Sequence, residues 1–227
     1  MKNFIKVLVL SLFVFCLCGC GTEYEYNYNL IKHGDTSIYE IEGKKYVEST
    51  EETNLVKLDV GNYGIIIAEL YPEIAPITVA NFKKLVGEKF YDGLIFHRVI
   101  KDFMIQTGDP LGNGTGGSEE TIKGEFSLNG VINDISHVRG TLSMARQGAV
   151  PDTEETMNSA SSQFFIVHED SSFLDGNYAA FGSVVNGMDV VDSVASISVD
   201  SNDKPYAKQV LNSIVFVKEY EEKVVEW

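Results

Sequence analysis

Short apolar runs with a two-residue period recur along the chain from residue 55 onward, separated by glycine-containing turns. Successive side chains on a strand point to opposite faces, so such runs predict half-buried β-strands. The first two runs, residues 55–60 and 65–70, are joined by a segment with Gly61 and Gly64, which predicts a hairpin. The remaining predicted strands cover residues 94–100, 103–107, 141–145, 163–167, 179–185 and 211–217.

Two other segments show helical spacing. Pro76 suits the first turn of a helix, and apolar residues then recur every three or four positions until Gly87. Val190, Val191 and Val194 predict a second, shorter helix. Many short strands, only two helices and no internal repeat predict an all-β (mainly) domain, a closed barrel that leaves no strand edge exposed.

The N-terminus has the pattern of an export signal. Lys2 and Lys6 precede an apolar run over residues 7–17, which is too short to span a bilayer comfortably. The following Leu17-Cys18-Gly19-Cys20 resembles a bacterial lipobox, in which Cys20 becomes the lipidated first residue of the mature chain. An ordinary signal peptide with incidental cysteines, or an uncleaved anchor, remains as an alternative. The predicted location is the extracytoplasmic face of the cell membrane, where two or more acyl chains give stable anchoring.

This interpretation divides the chain into residues 1–19 as signal peptide, 20–53 as lipidated N-terminus and tether, 54–220 as the folded domain, and 221–227 as a C-terminal tail. Polar residues dominate the tether, which predicts a solvated spacer with a reach of roughly 30 Å. Residues 38–47, with Gly43 and Lys44 in their middle, are also compatible with a small hairpin packed on the domain.

All three cysteines lie at or before position 20, so the mature chain keeps only Cys20 and forms no internal disulfide. The formal net charge is −15, and removal of residues 1–19 leaves 16 basic against 33 acidic residues, a formal −17. Such a surface repels nucleic acid, so no nucleic-acid partner is expected. Two interpretations account for the negative net charge: a preference for basic or neutral clients, or solubility alone.

One stretch, residues 96–110, places an arginine and a glutamine among large apolar side chains and reads FHRVIKDFMIQTGDP. Strand alternation predicts that Phe96, Arg98 and Ile100 share one side, and that Met104 and Gln106 share a side. A guanidinium beside aromatic and thioether carbons suits a substrate that is apolar in its ring and polar at its amide.

This stretch resembles the signature F-H-R-V-I-x-x-F-M-I-Q-x-G-D of the cyclophilin family of peptidyl-prolyl cis/trans isomerases. Residues 140–145, 162–166 and 173–182 resemble three further blocks of that family, in the same order. The resemblance runs from about residue 55 to about residue 220. It implies a closed eight-stranded antiparallel β-barrel with an α-helix over each opening.

The resemblance also implies the site. Arg98 is the expected catalytic donor, with Phe103 and Gln106 beside it. The implied substrate-binding residues are Met104, Ala145, Arg146, Gln163, Phe165, Phe173, Leu174 and Tyr178. Alternation adds two expectations outside the groove: Phe164 belongs to the core, and His97 is structural.

Rotation about an X-Pro bond faces a barrier of ~18–20 kcal/mol that comes from amide resonance. A donor that draws the nitrogen lone pair out of conjugation lowers this barrier, so no metal or cofactor is needed. The implied partners are Pro-containing polypeptides, here exported proteins whose folding the enzyme would speed. The alternative function is a non-catalytic module that binds Pro-containing segments at the cell surface. A hydrolase is disfavoured because no GxSxG motif occurs.

The chain departs from the family pattern at several positions. Phe173 replaces a frequent tryptophan, Tyr178 a frequent histidine, and Thr107 a common glycine. Loss of the indole N–H predicts weakened binding of cyclosporin, which inhibits many members of the family. Residues 146–157 form an unusually long acidic loop, for which we expect a position near the groove rim and either client selection, weak cation binding or no specific role.

Overall fold

The computed structural model describes residues 26–148 and 150–221. The predicted signal peptide and the lipidation site Cys20 lie outside the described residues. The strands are β1 (Asn29–His33), β2 (Thr36–Ile41), β3 (Lys44–Glu48), β4 (Leu55–Val60), β5 (Gly64–Leu70), β6 (Leu94–Ile95), β7 (Arg98–Ile100), β8 (Met104–Thr107), β9 (Thr141–Met144), β10 (Phe164–Val167), β11 (Ala180–Asn186), β12 (Val210–Leu211) and β13 (Ser213–Glu219). The α-helices are α1 (Pro76–Gly87), α2 (Glu154–Met157) and α3 (Met188–Ala195).

Eight strands follow one another with antiparallel neighbours in the order β13-β4-β5-β11-β9-β10-β8-β7. The two ends of this order meet through β6 and β12, which pair with each other and lead directly into β7 and β13. The mainly β, antiparallel barrel architecture expected from the sequence is therefore confirmed. One short helix, α2, was not expected; it lies in the acidic loop.

Two predicted strands are each split in two. Residues 94–100 divide into β6 and β7, and residues 211–217 correspond to parts of β12 and β13. The reason is a change of hydrogen-bonding partner: β6 pairs with β12, whereas β7 pairs with β8. Between them the Phe96 amide donates to the Gln209 carbonyl, 2.9 Å away, and the His97 amide donates to the Gln106 carbonyl, 3.1 Å away.

The main core lies between the barrel strands and the two longer helices. Phe82 of α1 is fully buried, with its ring centroid 5.2 Å from that of Tyr91, 5.3 Å from Phe164 and 5.2 Å from Phe181. The first turn of α1 is closed by the buried Glu125 carboxylate, which accepts from the Ile77 and Thr78 amides and from the Thr78 hydroxyl. This distant carboxylate satisfies amides that a helix leaves unpaired at its start.

The N-terminal strands β1–β3 extend the same sheet from β13. Ile41 and Tyr46 are fully buried against Ile65, Ile67 and Val217, on the outside of the barrel wall. This settles the alternative that the sequence left open: residues 36–48 form a packed hairpin. The solvated-spacer interpretation is wrong for residues 29–48, because the apolar outer face of β5 needs a cover.

Polar contacts fix this extension in place. The buried Lys57 ammonium of β4 lies 2.5 Å from the Glu48 carboxylate and 3.9 Å from the centre of the Tyr39 ring. The Tyr46 hydroxyl donates to the Asn186 side chain at the end of β11. Nearly every buried polar group here has a partner, as stable packing requires.

Candidate functional site

One outer face of the barrel wall carries the predicted site. In β7 and β8, Arg98 lies opposite Gln106 and Ile100 lies opposite Met104. In β8 and β10, Gln106 lies opposite Phe165. Cross-strand partners project from the same face of a sheet, so these side chains line one surface. The structure brings together the donor, the amide and the apolar residues expected from the sequence.

The intervening residues face the barrel core. Val99, Ile105, Phe164 and Ile166 all belong to the main core and are at most 1% exposed. The expectation for Phe164 is confirmed. The expectation that Phe96 shares the side of Arg98 is wrong: Phe96 is fully buried in the main core, because the strand is interrupted at residues 96 and 97.

An apolar socket lies beside Arg98. Its floor consists of Met104, Phe165, Val167 and Leu174, which form a small cluster separate from the barrel core. Ile100, Phe103, Ala145 and Tyr178 are partly buried around this cluster. The Tyr178 ring meets the Phe165 ring edge to face, with 6.0 Å between centroids.

Phe173 occupies the outer rim of the socket. Its side chain is 69% exposed, and its ring centroid lies 5.4 Å from that of Phe103. The two rings form an aromatic pair open to solvent on one side. Phe173 is thus well placed for contact with a ligand, but it is not part of the buried floor.

Two glutamines provide the polar side of the groove. The Gln106 amide nitrogen donates to the Gln163 side-chain oxygen, 2.8 Å away. The Gln163 amide nitrogen in turn donates to the carbonyls of Gly116 and Gly114, at 2.6 and 3.1 Å. Gln163 therefore links β8 to the glycine-rich loop at residues 112–117 and holds Gln106 in a defined orientation.

The Asp109 carboxylate holds the start of that glycine-rich loop. It accepts from the amides of Leu111, Asn113 and Gly114 at 2.6–2.9 Å. Burial alone raises the pKa of the Asp109 carboxyl, but these amide donors outweigh burial and hold the pKa below its usual value. Asp109 is therefore a structural anion that shapes the loop beside the groove.

The Arg98 side chain is 44% exposed and has one partner among the described residues, Asp203, whose carboxylate lies 3.4 Å from Nε. Asp203 precedes β12 and has a left-handed backbone, with φ of 63°. The contact restrains the guanidinium from its Nε edge. The remaining N–H groups of this planar fork are available to a ligand in the groove.

Arg146 is held by the acidic loop. Its guanidinium forms a two-pronged pair with the Asp152 carboxylate, at 2.7 and 2.9 Å, and its side chain is only 5% exposed. It also lies 5.0 Å from the Tyr178 ring centre and 5.3 Å from that of Phe126. The hydrogen bonds that the guanidinium donates to Asp152 raise the pKa of Arg146. The sequence named Arg146 as an implied substrate-binding residue but gave no sign of its pairing with Asp152.

The acidic loop carries α2, whose N-cap is Thr153: its hydroxyl accepts from the Thr156 amide. Because Asp152 pairs with Arg146, the loop is attached at the end of the groove where Tyr178 lies. Nearby, the Ala145 amide already donates to the Gln163 carbonyl, 2.9 Å away. The Ala145 amide is thus taken up within the protein and is not available as a donor to a ligand.

Beneath the socket lies a hydrogen-bonded chain that the sequence did not reveal. His137 Nδ1 lies 2.9 Å from Asp175, Nε2 lies 2.9 Å from the Ser143 hydroxyl, and the ring stacks on Phe165 with 6.2 Å between centroids. Burial lowers the pKa of His137, while Asp175 acts in the opposite direction. Ser143 is fully buried, so this serine, histidine and aspartate chain supports Phe165 and does not present a nucleophile.

Within residues 26–148 and 150–221, no three His, Cys, Asp or Glu side chains are grouped so that they could hold a metal ion. The same part of the chain contains no helix that is both long enough and apolar enough to cross a membrane.

Comparisons with known proteins identify relatives. The family model for "Cyclophilin type peptidyl-prolyl cis-trans isomerase/CLD" matches residues 55–215. Peptidyl-prolyl cis-trans isomerase ppi1 of Schizosaccharomyces pombe is 45% identical over 143 residues, which is 63% of this chain and 86% of that protein. Peptidyl-prolyl cis-trans isomerase B of Bacillus subtilis is 45% identical over 145 residues, 64% of this chain and 92% of that protein.

Solved structures agree with these sequence relatives. A cyclophilin-type peptidyl-prolyl cis-trans isomerase of Cryptosporidium parvum, crystallised in the presence of the dipeptide Ala-Pro, superposes with a TM-score of 0.63 at 30% identity. The superposition covers 71% of this chain and 97% of that chain.

Proposed function

The chain belongs to the cyclophilin-type family of peptidyl-prolyl cis-trans isomerases, and from this membership we propose that it accelerates X-Pro isomerisation in exported polypeptides at the outer face of the cytoplasmic membrane. The isomerase activity follows from the family and its named relatives. The observation that carries the assignment of residues is the shared face of Arg98, Gln106, Met104 and Phe165.

Catalysis on this face is electrostatic and steric. The uncatalysed barrier of ~18–20 kcal/mol comes from conjugation of the nitrogen lone pair with the carbonyl. In our proposal, Arg98 donates to the prolyl carbonyl and toward the imide nitrogen, which stabilises the twisted, pyramidal nitrogen. A donor that is fixed before the reaction stabilises the transition state more than the planar ground states. Asp203 supplies this fixation at Nε.

The socket supplies binding and orientation. The proline ring is apolar, so it is favoured in the cluster of Met104, Phe165 and Leu174. Gln106, oriented by Gln163, is placed to hold the main chain of the substrate. With the ring held in the socket, rotation takes place in the chain on the N-terminal side of the proline.

Isomerisation is tested with a short Ala-Pro peptide, by cis/trans exchange spectroscopy that needs no coupled protease. The mature chain is expected to accelerate exchange at catalytic concentrations, with saturation. Phe165→Ala is expected to raise KM because it opens the socket floor; Val138→Ala, at an exposed site outside the groove, serves as the matched control. Saturable peptide binding without faster exchange would instead identify a non-catalytic binding module.

The extracytoplasmic location is supported by Lys2 and Lys6, by the apolar run that follows, and by Cys20 in its lipobox-like setting. The Asn27 side chain exchanges hydrogen bonds with the Ile65 backbone, so the chain is attached to the barrel wall seven residues after Cys20. Seven residues span at most about 25 Å when fully extended. If Cys20 carries the lipid, the isomerase domain is therefore held close to the membrane surface.

Fractionation of cells that express the full chain tests the anchor. Cys20→Ala is expected to move the protein out of the membrane fraction without altering isomerase activity. Cys18→Ala, two positions earlier and within the predicted signal peptide, is the matched control and is expected to stay membrane-bound. A Cys20→Ala protein that remains quantitatively in the membrane fraction would contradict lipidation at this residue.

A further inference from the structure

A second cavity is lined by residues that adjoin Arg98 and its partner Asp203 in the chain, namely His97 and Lys204. It has a volume of about 200 Å³, and among its lining residues are His97, Lys204, Lys208, Ile95, Leu111 and Pro205. A water molecule takes up about 30 Å³ of liquid volume, so the cavity has room for roughly six waters or for one side chain. None of these lining residues has a role in the isomerisation site described above.

His97 is an unsatisfied group in the wall of this cavity. The residue is only 5% exposed, and no described residue lies in hydrogen-bond geometry with either ring nitrogen, although the Gln163 side chain and the Asp109 carboxylate are near enough to favour the charged ring. Buried polar atoms are almost always paired, and an orphan calls for an explanation. Burial outweighs these two groups and lowers the pKa of His97, which favours the neutral ring. A neutral ring still donates one N–H to a ligand.

The two lysines at the cavity have no partner among the residues that the structure describes. Neither the Lys204 nor the Lys208 ammonium forms an ion pair or hydrogen bond with any residue in the described ranges, although the chain has 33 acidic and only 18 basic residues. The neighbouring acids are already engaged. Asp203 pairs with Arg98, Asp200 accepts from the Asn202 and Lys204 amides, and Asp109 accepts from the glycine-rich loop.

The chemistry of the cavity suits a carboxylate on a short apolar stem. The ring of His97 and the two ammonium groups attract an anion, while Ile95, Leu111 and Pro205 offer apolar contact to methylene groups. The position also fits a polypeptide. Asp203, which holds Arg98 at Nε, directly precedes Lys204 in the cavity lining, so the cavity lies close to the Arg98 contact. A client whose prolyl carbonyl meets Arg98 can then extend its following residue toward the cavity.

We propose that this cavity, the His97 subsite, binds the acidic side chain of the residue that directly follows the proline in the client. The proposal rests on the isomerase function and on the contact between Arg98 and the prolyl carbonyl. It gives the enzyme a sequence preference that its apolar socket cannot supply, because the socket contacts the proline ring alone. Binding involves charge and hydrogen bonding only, with no covalent step.

The test uses three peptides of equal length, with Pro-Glu, Pro-Gln, and Pro-Gln plus a glutamate placed before the proline. Exchange spectroscopy gives kcat and KM for each. The Pro-Glu peptide is expected to have a KM about five- to tenfold below that of Pro-Gln at low salt, since partly exposed charge pairs each contribute modestly. The peptide with glutamate before the proline controls for net charge and is expected to behave like Pro-Gln. The Pro-Glu advantage should shrink at high salt.

Variants assign the preference to the cavity. The Lys204→Gln, Lys208→Gln double variant is expected to reduce the KM ratio of the two peptides to within about twofold of unity. Lys218→Gln, at an exposed position of β13, is the matched control and should keep the full ratio. His97→Phe retains ring volume but has no N–H, and it should lower the ratio partly. If His97→Phe fails to fold, the lysine variants still decide the outcome.

A direct readout does not depend on turnover. Binding of the Pro-Glu peptide should raise the pKa of His97 in a histidine-resolved NMR titration, because a nearby carboxylate favours the charged ring. Equal KM values for Pro-Glu and Pro-Gln in the unmodified protein, or an unchanged ratio in the lysine double variant, would overturn the subsite while leaving the isomerase function intact. Absence of exchange with every peptide would instead contradict the proposed function. The ratio of the dissociation constants of the Pro-Gln and Pro-Glu peptides, and the pKa of His97, would then still test the subsite.

Discussion

The Arg146–Asp152 pair attaches the acidic loop to the groove, and Asp152→Asn tests this attachment. The substitution keeps the shape of the side chain and one acceptor oxygen but removes the charge and one of the two hydrogen bonds, at 2.7 and 2.9 Å. Loss of the only partner of a buried charge costs about 3–5 kcal/mol. Arg146 keeps the carbonyls of Asn177 and Gln147 as acceptors, so the full cost is not reached. Loss of one charge-assisted hydrogen bond gives the expected decrease in unfolding free energy, about 1.5–3 kcal/mol.

Urea denaturation followed by circular dichroism measures this decrease, and exchange spectroscopy on a Pro peptide measures its effect on the groove. We expect KM to rise more than kcat falls, because Arg146 packs over Tyr178 at the rim while Arg98 lies elsewhere. Asp134→Asn, at an exposed aspartate outside the loop, is the matched control and should stay within about 0.5 kcal/mol of the unmodified protein. If Asp152→Asn is as stable as that control and has an unchanged KM, the loop is not held through this pair.

Three further predictions concern pH, the N-terminal strands and the groove rim. Burial lowers the pKa of His97 and of His137, so below about pH 6.5 the unfolded chain binds more protons than the folded chain. The free energy of unfolding is therefore highest above this pH and should decrease as the pH falls toward 5. Urea denaturation giving equal or greater stability at pH 5.5 than at pH 7.5 would refute this. A chain that begins at Thr53 lacks Ile41 and Tyr46, which cover β5. It should be about 3–6 kcal/mol less stable, at roughly 1.5–3 kcal/mol for each buried side chain. An unchanged denaturation midpoint would contradict this packing. Phe173→Trp adds an N–H donor and should tighten cyclosporin inhibition about fivefold. This is the low end of the gain from satisfying one acceptor, because position 173 at the rim is 69% exposed. An unchanged inhibition constant would show that position 173 does not supply the donor.

The sequence predicted the barrel strands and the faces of β8 and β10 well, because alternation on a strand has only two outcomes. With Phe165 and Met104 on the groove face, Phe164 and Ile105 had to lie in the core, as they do. The partner of a strand, in contrast, depends on long-range pairing. Strand alternation therefore failed at Phe96, where the chain exchanges β12 for β8 as its neighbour.

The apolar pattern of β5 indicated a packed N-terminal hairpin, but the polar composition of the hairpin itself favoured a solvated spacer. Residues 65–68 read Ile-Ile-Ile-Ala, so both faces of β5 are apolar and both need burial. One face belongs to the barrel core, which leaves Ile65 and Ile67 to be covered by another layer. The polar content of residues 29–48 suggested a spacer, but Ile41 and Tyr46 suffice to provide that cover.

The spacing of apolar and polar residues along the chain does not predict which side chains pair across long sequence separations. Only the fold brings His137, Ser143 and Asp175 together, and no spacing in the sequence predicts their hydrogen bonds. Arg146 and Asp152 are only six residues apart, yet their pairing depends on the turn of the acidic loop and on the aromatic rings that enclose the guanidinium. The orphaned nitrogens of His97 likewise emerge only from the three-dimensional surroundings.

Comparison of peptide binding and peptide exchange in Arg98→Ala tests the central claim most directly. The account predicts that the variant folds, because Arg98 is part of the exposed groove face, and that it binds a Pro peptide with a Kd within a few-fold of the unmodified protein. Exchange in the bound peptide should fall by about tenfold to 10³-fold, since the lost donor acts mainly in the twisted state. Arg98→Lys, which keeps the charge but not the planar fork, should recover only part of the rate. An Arg98→Ala protein that retains more than half of the unmodified exchange rate would contradict the account.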